Sequence, residues 1–351
     1  MIDKYSIGNT ASNWRDTLAV YLPGGRLAGV VLALLAVYLL VCVIMGMYWS
    51  LAPAPFDVRD KAAALAAKDN RAVVTGSVTT AALMGAVETL LDKPGGYTHN
   101  DIFPPGLWLD NMPSWEYGVL IQSRDLTRAL REVLSRSQSQ STEDADRVMA
   151  EPRLNFDSNS GALPASESEY RDALKYLRRY FDRLSDPTTP NAQFYARADN
   201  LREWLSTVNT RLGSLSQRLS ASVGKRRINT DLAGDESASQ STYVPAEVDV
   251  TTPWLQIDNV FYEARGSAWA LIQFLQAAEI DFADVLQKKN ARVSLQQIIR
   301  ELESTQDTVW SPMILNGSGF GPLAIHSLVM ASYISRANAA IIDLRDLLSQ
   351  G

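Results

Sequence analysis

Two short constellations carry the residue types most able to do chemistry. The run Asn316-Gly317-Ser318-Gly319-Phe320-Gly321-Pro322 is a glycine-rich turn leading into an expected helix, with His326 and Ser327 one turn further on. The free N–H groups and dipole of such a helix start can hold an anion. The run is not a P-loop, because no Lys-Ser/Thr follows its glycines, and it is not a dinucleotide fingerprint, because a helix rather than a strand precedes it. A Ser–His pair is the chemistry of a nucleophile and its base, yet a hydrolase signature such as GxSxG is absent. The turn therefore reads as a tight connection between packed helices. Gly317, Gly319, Gly321 and His326 stand as binding candidates, and no catalytic residue is assigned.

The second constellation is His99 beside Asp101 and Asp110 in an aromatic loop. With His99 and His326 the only histidines and Cys42 the only cysteine, a metal site and thiol chemistry are not expected, and neither is a cofactor. Carboxylate pairs such as Asp281 with Asp284, or Glu301 with Glu303, fall among ordinary surface charges. The formal net charge of −6 argues against a nucleic-acid partner. Charge is unevenly spread: residues 166–227 hold 12 Lys/Arg against 7 Asp/Glu, and residues 228–303 hold 5 against 12. Either the two segments pack on one another or are solvated faces, or Arg178 and Arg179 belong to a basic face for anionic lipid or an acidic partner.

The elements that must position these residues begin with Leu27 to Trp49, 23 residues without a charged side chain. At about 1.5 Å rise per residue such a helix crosses the ~30 Å hydrocarbon core of a bilayer. It is apolar all round, longer than the apolar core of a signal peptide, and closed by Tyr48 and Trp49 as interfacial aromatics. Lys4, Arg15 and Arg26 precede it; Arg59, Lys61, Lys68 and Arg71 follow. These flanks lean slightly toward a cytoplasmic N-terminus, with the large C-terminal part exported.

Beyond the expected span, the pattern is helical throughout, with no convincing period-two strand. Residues 62–68 and 77–92 read as helices. The loop from Pro94 to Pro113 follows, carrying Phe103, Trp108 and other large apolar residues among prolines and glycines. It either plugs the core or offers a partner- or lipid-binding surface that includes Phe103, Trp108 and the following Trp115. Ser114 is expected to cap a helix to about Ser135, and residues 152–164 to form a connector. Ser166 with Glu169 reads as a capping box. Tyr170, Leu174, Leu177, Phe181 and Leu184, then Phe194, Ala198, Leu201, Leu205, Val208, Leu212, Leu215 and Leu219, form two heptad seams around a turn, which predicts an antiparallel coiled-coil-like hairpin. Residues 224–252 read as a polar linker. Thr252 and Pro253 open a long helix whose inward stripe mixes Ala264, Ala268 and Ala278 with large residues, permitting a close neighbour. Ser294 with Gln297 opens another helix, and a last one is expected from about Pro322 to Ser349.

The residues DIFPPGLWLDNMPSWEYGVL from Asp101 to Leu120, with NGSGFGPLAIHSLVMASYISRANAAIIDLRDLL from Asn316 to Leu348, resemble Gram-negative bacterial membrane proteins grouped as domain of unknown function 2333. The resemblance implies a single-span inner-membrane protein and transfers no activity. The expected architecture is all-α: a cytoplasmic tail (1–26), a transmembrane anchor (27–50), a membrane-proximal helical region with the aromatic loop (51–165), a helical hairpin (166–223), the polar linker (224–252) and C-terminal helices completing a bundle (253–351). The expected function is a non-enzymatic scaffold or partner-binding module of the cell envelope, periplasmic, with a protein partner or a second copy. A lipid- or glycan-binding or modifying role is the alternative.

Overall fold

A computed structural model describes residues 25–135, 144–186, 192–228, 247–311, 313–316 and 324–350. The expected tail helix and Gly317, Gly319, Gly321 and Pro322 lie outside these residues.

The uncharged run lies within α1, Gly25–Trp49, which has no acidic residue in its first turn and no basic residue in its last; Arg26 in the first turn is its one charged side chain. It is long and apolar enough to cross a membrane and is almost wholly uncovered by the rest of the chain. Its last turns differ: Cys42 and Gly46 are buried and Trp49 half-buried, while Met45, Met47 and Tyr48 stay exposed. Spaced four and three apart, these residues form one stripe of a helix, so one face is covered.

After α1 come α2 (Val58–Lys68), capped by Asp57 accepting from the Arg59 and Asp60 N–H groups, and α3 (Ser77–Asp92). Helix α4 (Asn111–Glu132) begins earlier than the Ser114 expectation. Asp110 caps it, because a proline in the first turn, here Pro113, removes an N–H that would have had no helical partner anyway. Helix α5 (Ala145–Leu154) corrects the connector expected from residue 152: Pro152 lies inside it, and Asp144 caps it. Its Arg147, buried over the Tyr180 ring at 4.1 Å, donates to the Leu130 and Gln193 carbonyls and fixes the helix to its neighbours.

The two seam helices form as read, as α6 (Ser166–Leu184) and α7 (Ala198–Ser220). The capping box does not: Ala165 is the N-cap, and the buried Ser166 hydroxyl donates to the Asp157 and Ser160 carbonyls, tying down the preceding connector. Nor do α6 and α7 form a hairpin. Helix α6 packs on α5 and α3, whereas α7 packs on the last helix, α11 (His326–Ser349). A heptad seam specifies an apolar face but not which complementary face it meets. Helices α7 and α11 run antiparallel: Ser216 bonds Ser335 at 2.7 Å, and Gly213 lies against Asn338. The ends of the expected linker pair as a two-stranded antiparallel ribbon, β1 (Lys225–Ile228) with β2 (Glu247–Val250), Lys225 opposite Val250.

At the centre is α8 (Ile257–Asp281), entered through a 3-10 turn at Trp254–Gln256 rather than by a Thr252 cap. Helices α9 (Ala283–Lys288) and α10 (Arg292–Glu303) follow; the latter starts behind Ala291, before the expected Ser294. Helix α8 has its most extensive contact with α4, as its small-residue stripe anticipated. Two glycines make that contact backbone to backbone: a Cβ on Gly266 would lie 2.0 Å from the Trp115 carbonyl oxygen, and one on Gly118 would lie 2.1 Å from that of Glu263. One continuous apolar core runs from Val58 in α2 to Leu348 in α11.

The directions of these helices define two ends. Helices α4 and α8 run parallel, with Ser267 donating to the Gly118 carbonyl and Asp110 and Asp258 lining one shallow pocket. Helix α3 runs the other way, its Thr79 meeting Asp281 at the end of α8. The starts of α4 and α8 and the end of α3 therefore share the end next to α1. At the opposite end lie the turns after α2, α6 and α8.

Candidate functional site at the end next to α1

The covered stripe of α1 meets the aromatic loop. A Cβ placed on Gly46 would stand 3.7 Å from both the Leu109 and Pro105 side chains. Gly95, held at φ +86°, presents its open face to the Trp49 ring, where a Cβ would fall 2.7 Å from the indole. Only glycine combines that backbone region with room for an aromatic ring.

A buried charge fixes the loop's first half. Glu116, in the second turn of α4, is fully buried and accepts from the Thr98 and His99 N–H groups and the Thr98 hydroxyl at 2.8–3.0 Å. The buried Lys93 ammonium pairs with it and also donates to the Gly96 carbonyl. Burial pushes the Glu116 carboxyl above the usual carboxylate range, while Lys93 and Thr98 pull it back. Tyr97 is buried edge-on to Tyr170 at 5.6 Å and donates to the Ser158 carbonyl. His99 stacks on Tyr117 and bonds the Pro113 carbonyl through Nδ1 at 3.0 Å. From Tyr97 to Asn100 the loop is thus a plug for the core.

The second half reverses this. After Asp101 the chain makes a 3-10 turn at Gly106–Trp108, with the Leu107 N–H donating to the Phe103 carbonyl and Leu109 to Gly106. Pro105 and Leu109 turn toward α1, and Ile102, Phe103, Leu107 and Trp108 point away from the protein, Phe103 being 74% exposed. Each of the two sequence readings of this loop describes one half of it.

The other candidates are dispersed. Trp115 is a core side chain, edge-on to Trp269 at 5.2 Å and fully buried, so it offers no surface. Arg178 pairs with Asp182 and Asp69 and donates to the Leu65 carbonyl. Arg179 stacks over Tyr176 at 4.6 Å with Asp146 nearby. The arginines of α6 thus meet Asp69 just after α2, Asp92 of α3, Asp144 and Asp146 at the start of α5, and Asp182 of α6 itself; of the acidic 228–303 segment, Glu263 receives Arg218. His326 opens α11, its Nδ1 accepting from the Leu315 N–H at 2.9 Å and its own N–H donating to the Leu315 carbonyl. The Ser327 hydroxyl is buried without a partner among the described residues, so these neighbours are not a hydrogen-bonded nucleophile and base.

His326 does border a groove of about 450 Å³, between the start of α11 and the strap after α10, lined also by Phe261, Arg265, Trp310, Val329 and Tyr333. Arg265 is spent within the protein, donating to the Gln306 and Asp307 carbonyls. The sequence reading missed this groove, and it missed Trp254, Leu255 and Trp310 as exposed side chains. Trp254 falls by spacing on the inward stripe of the helix after Pro253, yet the structure leaves it exposed in the 3-10 turn; for Leu255 and Trp310 the available signal was a large apolar residue off that stripe, near Pro253 and Pro312. Among the described residues no group of three or more His, Cys, Asp or Glu side chains is arranged to hold a metal.

Residues 24–351 match the family model described as an uncharacterised protein conserved in bacteria, DUF2333, and the chain belongs to that family. No curated protein and no solved structure matches it.

Proposed function

We propose that this member of an uncharacterised bacterial family is a single-span inner-membrane protein that presents its helical domain, on the periplasmic side, as a non-enzymatic scaffold or partner-binding module of the envelope. The observation that carries this reading is the clasp between the aromatic loop and α1. A freely tethered domain has no use for a side-on contact with its anchor, whereas a scaffold must hold its binding faces at a defined attitude to the membrane. Pro105 and Leu109 against Gly46, and Gly95 against Trp49, supply that contact. They also favour a retained anchor over a removed signal sequence, because removal would strip these loop residues of their apolar partner.

Reporter fusions at the C-terminus test the topology: activity only outside the cytoplasm is expected, and activity only inside overturns the periplasmic placement. Crosslinking in intact cells followed by mass spectrometry tests the scaffold. Recovery of a second envelope component is expected, and recovery of this chain alone counts against a heteromeric role.

The groove beside His326 favours a second reading, in which an envelope lipid or glycan is bound or modified. Its lining mixes large apolar residues with His326, Tyr333, Arg265, Asp307 and several hydroxyls, the usual make-up of a small-molecule site. Lipid analysis of the purified protein, with alanine at Trp108, Arg178 and His326 in turn, separates the readings. Loss of a co-purifying lipid in His326→Ala alone supports the second.

A further inference from the structure

The geometry points to the outer half of the aromatic loop, Ile102 to Trp108, as a second membrane contact that inserts into the same leaflet in which α1 ends. This rests on the reading of α1 as a bilayer span. Gly46 lies three residues before Trp49, about 4.5 Å deeper along the helix axis. Pro105 and Leu109 touch the helix at that level. The residues between and beside them are therefore held at the depth of the last turns of the span, and four of them, Ile102, Phe103, Leu107 and Trp108, are 51–74% exposed.

A lipid leaflet is the occupant that fits. The loop lies beside the end of α1, where Met47 and Tyr48, and Leu51 just beyond the helix, are likewise exposed. Every exposed side chain from Ile102 to Trp108 is apolar or proline; the nearest acid, Asp101, turns its carboxylate inward against Gly106. Burial raises the Asp101 carboxyl above its ordinary range, so the carboxylate is already partly withdrawn from water. Three backbone hydrogen bonds brace the turn, from the Leu107, Trp108 and Leu109 N–H groups to the Phe103, Pro105 and Gly106 carbonyls, and Pro104 and Pro105 have no N–H to leave unpaired. On the same end, Trp254 and Leu255 also stand exposed beside Asp110. A tryptophan there and at Trp108 suits the headgroup boundary.

The test uses the full chain in nanodiscs of phosphatidylethanolamine and phosphatidylglycerol, with Cys42→Ser as background and one added cysteine carrying a bimane fluorophore. Phe103→Cys probes the loop, Leu35→Cys the middle of the span, and Val293→Cys the opposite end. Val293 is as exposed as Phe103, at 74%, and so controls for exposure alone. Nitroxide-labelled lipid is expected to quench the Phe103 and Leu35 probes several-fold more than the Val293 probe, with iodide in water giving the reverse order. Iodide quenching at Phe103 with lipid quenching at Leu35 overturns the insertion and leaves the span standing. Iodide quenching at Leu35 overturns both. Quenching of Phe103 by neither agent means that a second copy covers the loop, which also overturns the insertion. Circular dichroism confirms that each variant is folded, and Leu107→Cys repeats the measurement if Phe103→Cys is not.

Discussion

The two ends of the bundle finish their helices in opposite ways. At the end away from α1, the chain turns back through short polar connections: Asp281 accepts from both the N–H and the hydroxyl of Thr79 at 2.7 Å, and Phe194 packs edge-on to Phe282. Its connections leave only valines among their large apolar side chains exposed, Val73 with Val74 and Val293, among the described residues. At the end next to α1, Ile102, Phe103, Leu107, Trp108, Trp254, Leu255 and Trp310 all stand exposed. Burying a large apolar side chain gains about 1.5–3 kcal/mol, so leaving this set in water forgoes on the order of 10 kcal/mol, comparable with the whole stability of a domain. Scattered exposed apolar residues need no explanation, but a cluster confined to one end does. The difference is what the proposed membrane contact at one end alone would require, although one core serves both.

That shared core is where the comparison breaks most severely. Gly266→Val drives a side chain into the Trp115 carbonyl of α4, an obstacle made of backbone that no rotamer change relieves. A loss of more than about 4 kcal/mol is expected, seen as a large fall in Tm or as failure to fold, at both ends together. Lys93→Met confines the damage to one end. It leaves Glu116 buried without its cation, at a cost of about 3 kcal/mol. Hydrogen exchange should quicken in residues 94–110 while residues 281–292 keep their protection; equal quickening at both ends would erase the distinction.

At the opposite end the lever is pH. Burial raises the Asp281 carboxyl above its ordinary range, against the pull of the Thr79 hydrogen bonds. A carboxyl whose folded value exceeds its unfolded value holds its proton better in the folded state. Its contribution is full below the unfolded value and is lost as pH rises through the folded one. Unfolding midpoints measured across the acid range should therefore fall less steeply with rising pH in Asp281→Asn than in the native chain. The smallest effect sharpens the contrast: Val293→Ser and Phe103→Ser in detergent should each change stability by no more than about 0.5 kcal/mol, because neither side chain is buried. Stability in detergent does not tell the two ends apart, so a difference between them in nanodiscs reports their surroundings.

Much of this was legible in the sequence, and the failures follow a pattern. The helices with strong periodicity, α6, α7, α8 and α11, lie where their spacing places them. The starts of α4, α6 and α8 moved, because Ser114, Ser166 and Thr252 are cap residues by type that do not cap these helices, Ser166 instead binding two carbonyls of the connector before it. Helix α5 was missed because Pro152 is a breaker in isolation, whereas the Arg147 anchor that holds the helix comes from residues distant in sequence. Of the candidate site, Phe103 and Trp108 were named as residue types, but nothing in their spacing separated them from Trp115, which the core absorbed.

The sequence by itself determined the strongly periodic helices, which face of each is apolar, and that Leu27 to Trp49 carries no charge, because these depend on local period and composition. The tertiary structure decided which faces meet: α7 with α11 rather than α6, and α4 with α8 through Gly118 and Gly266. It also decided that half of the aromatic loop is core and half lies along α1. An apolar stripe is a demand for burial without an address. The address comes from shape, backbone approach and buried charge, and these exist only once distant segments are brought together.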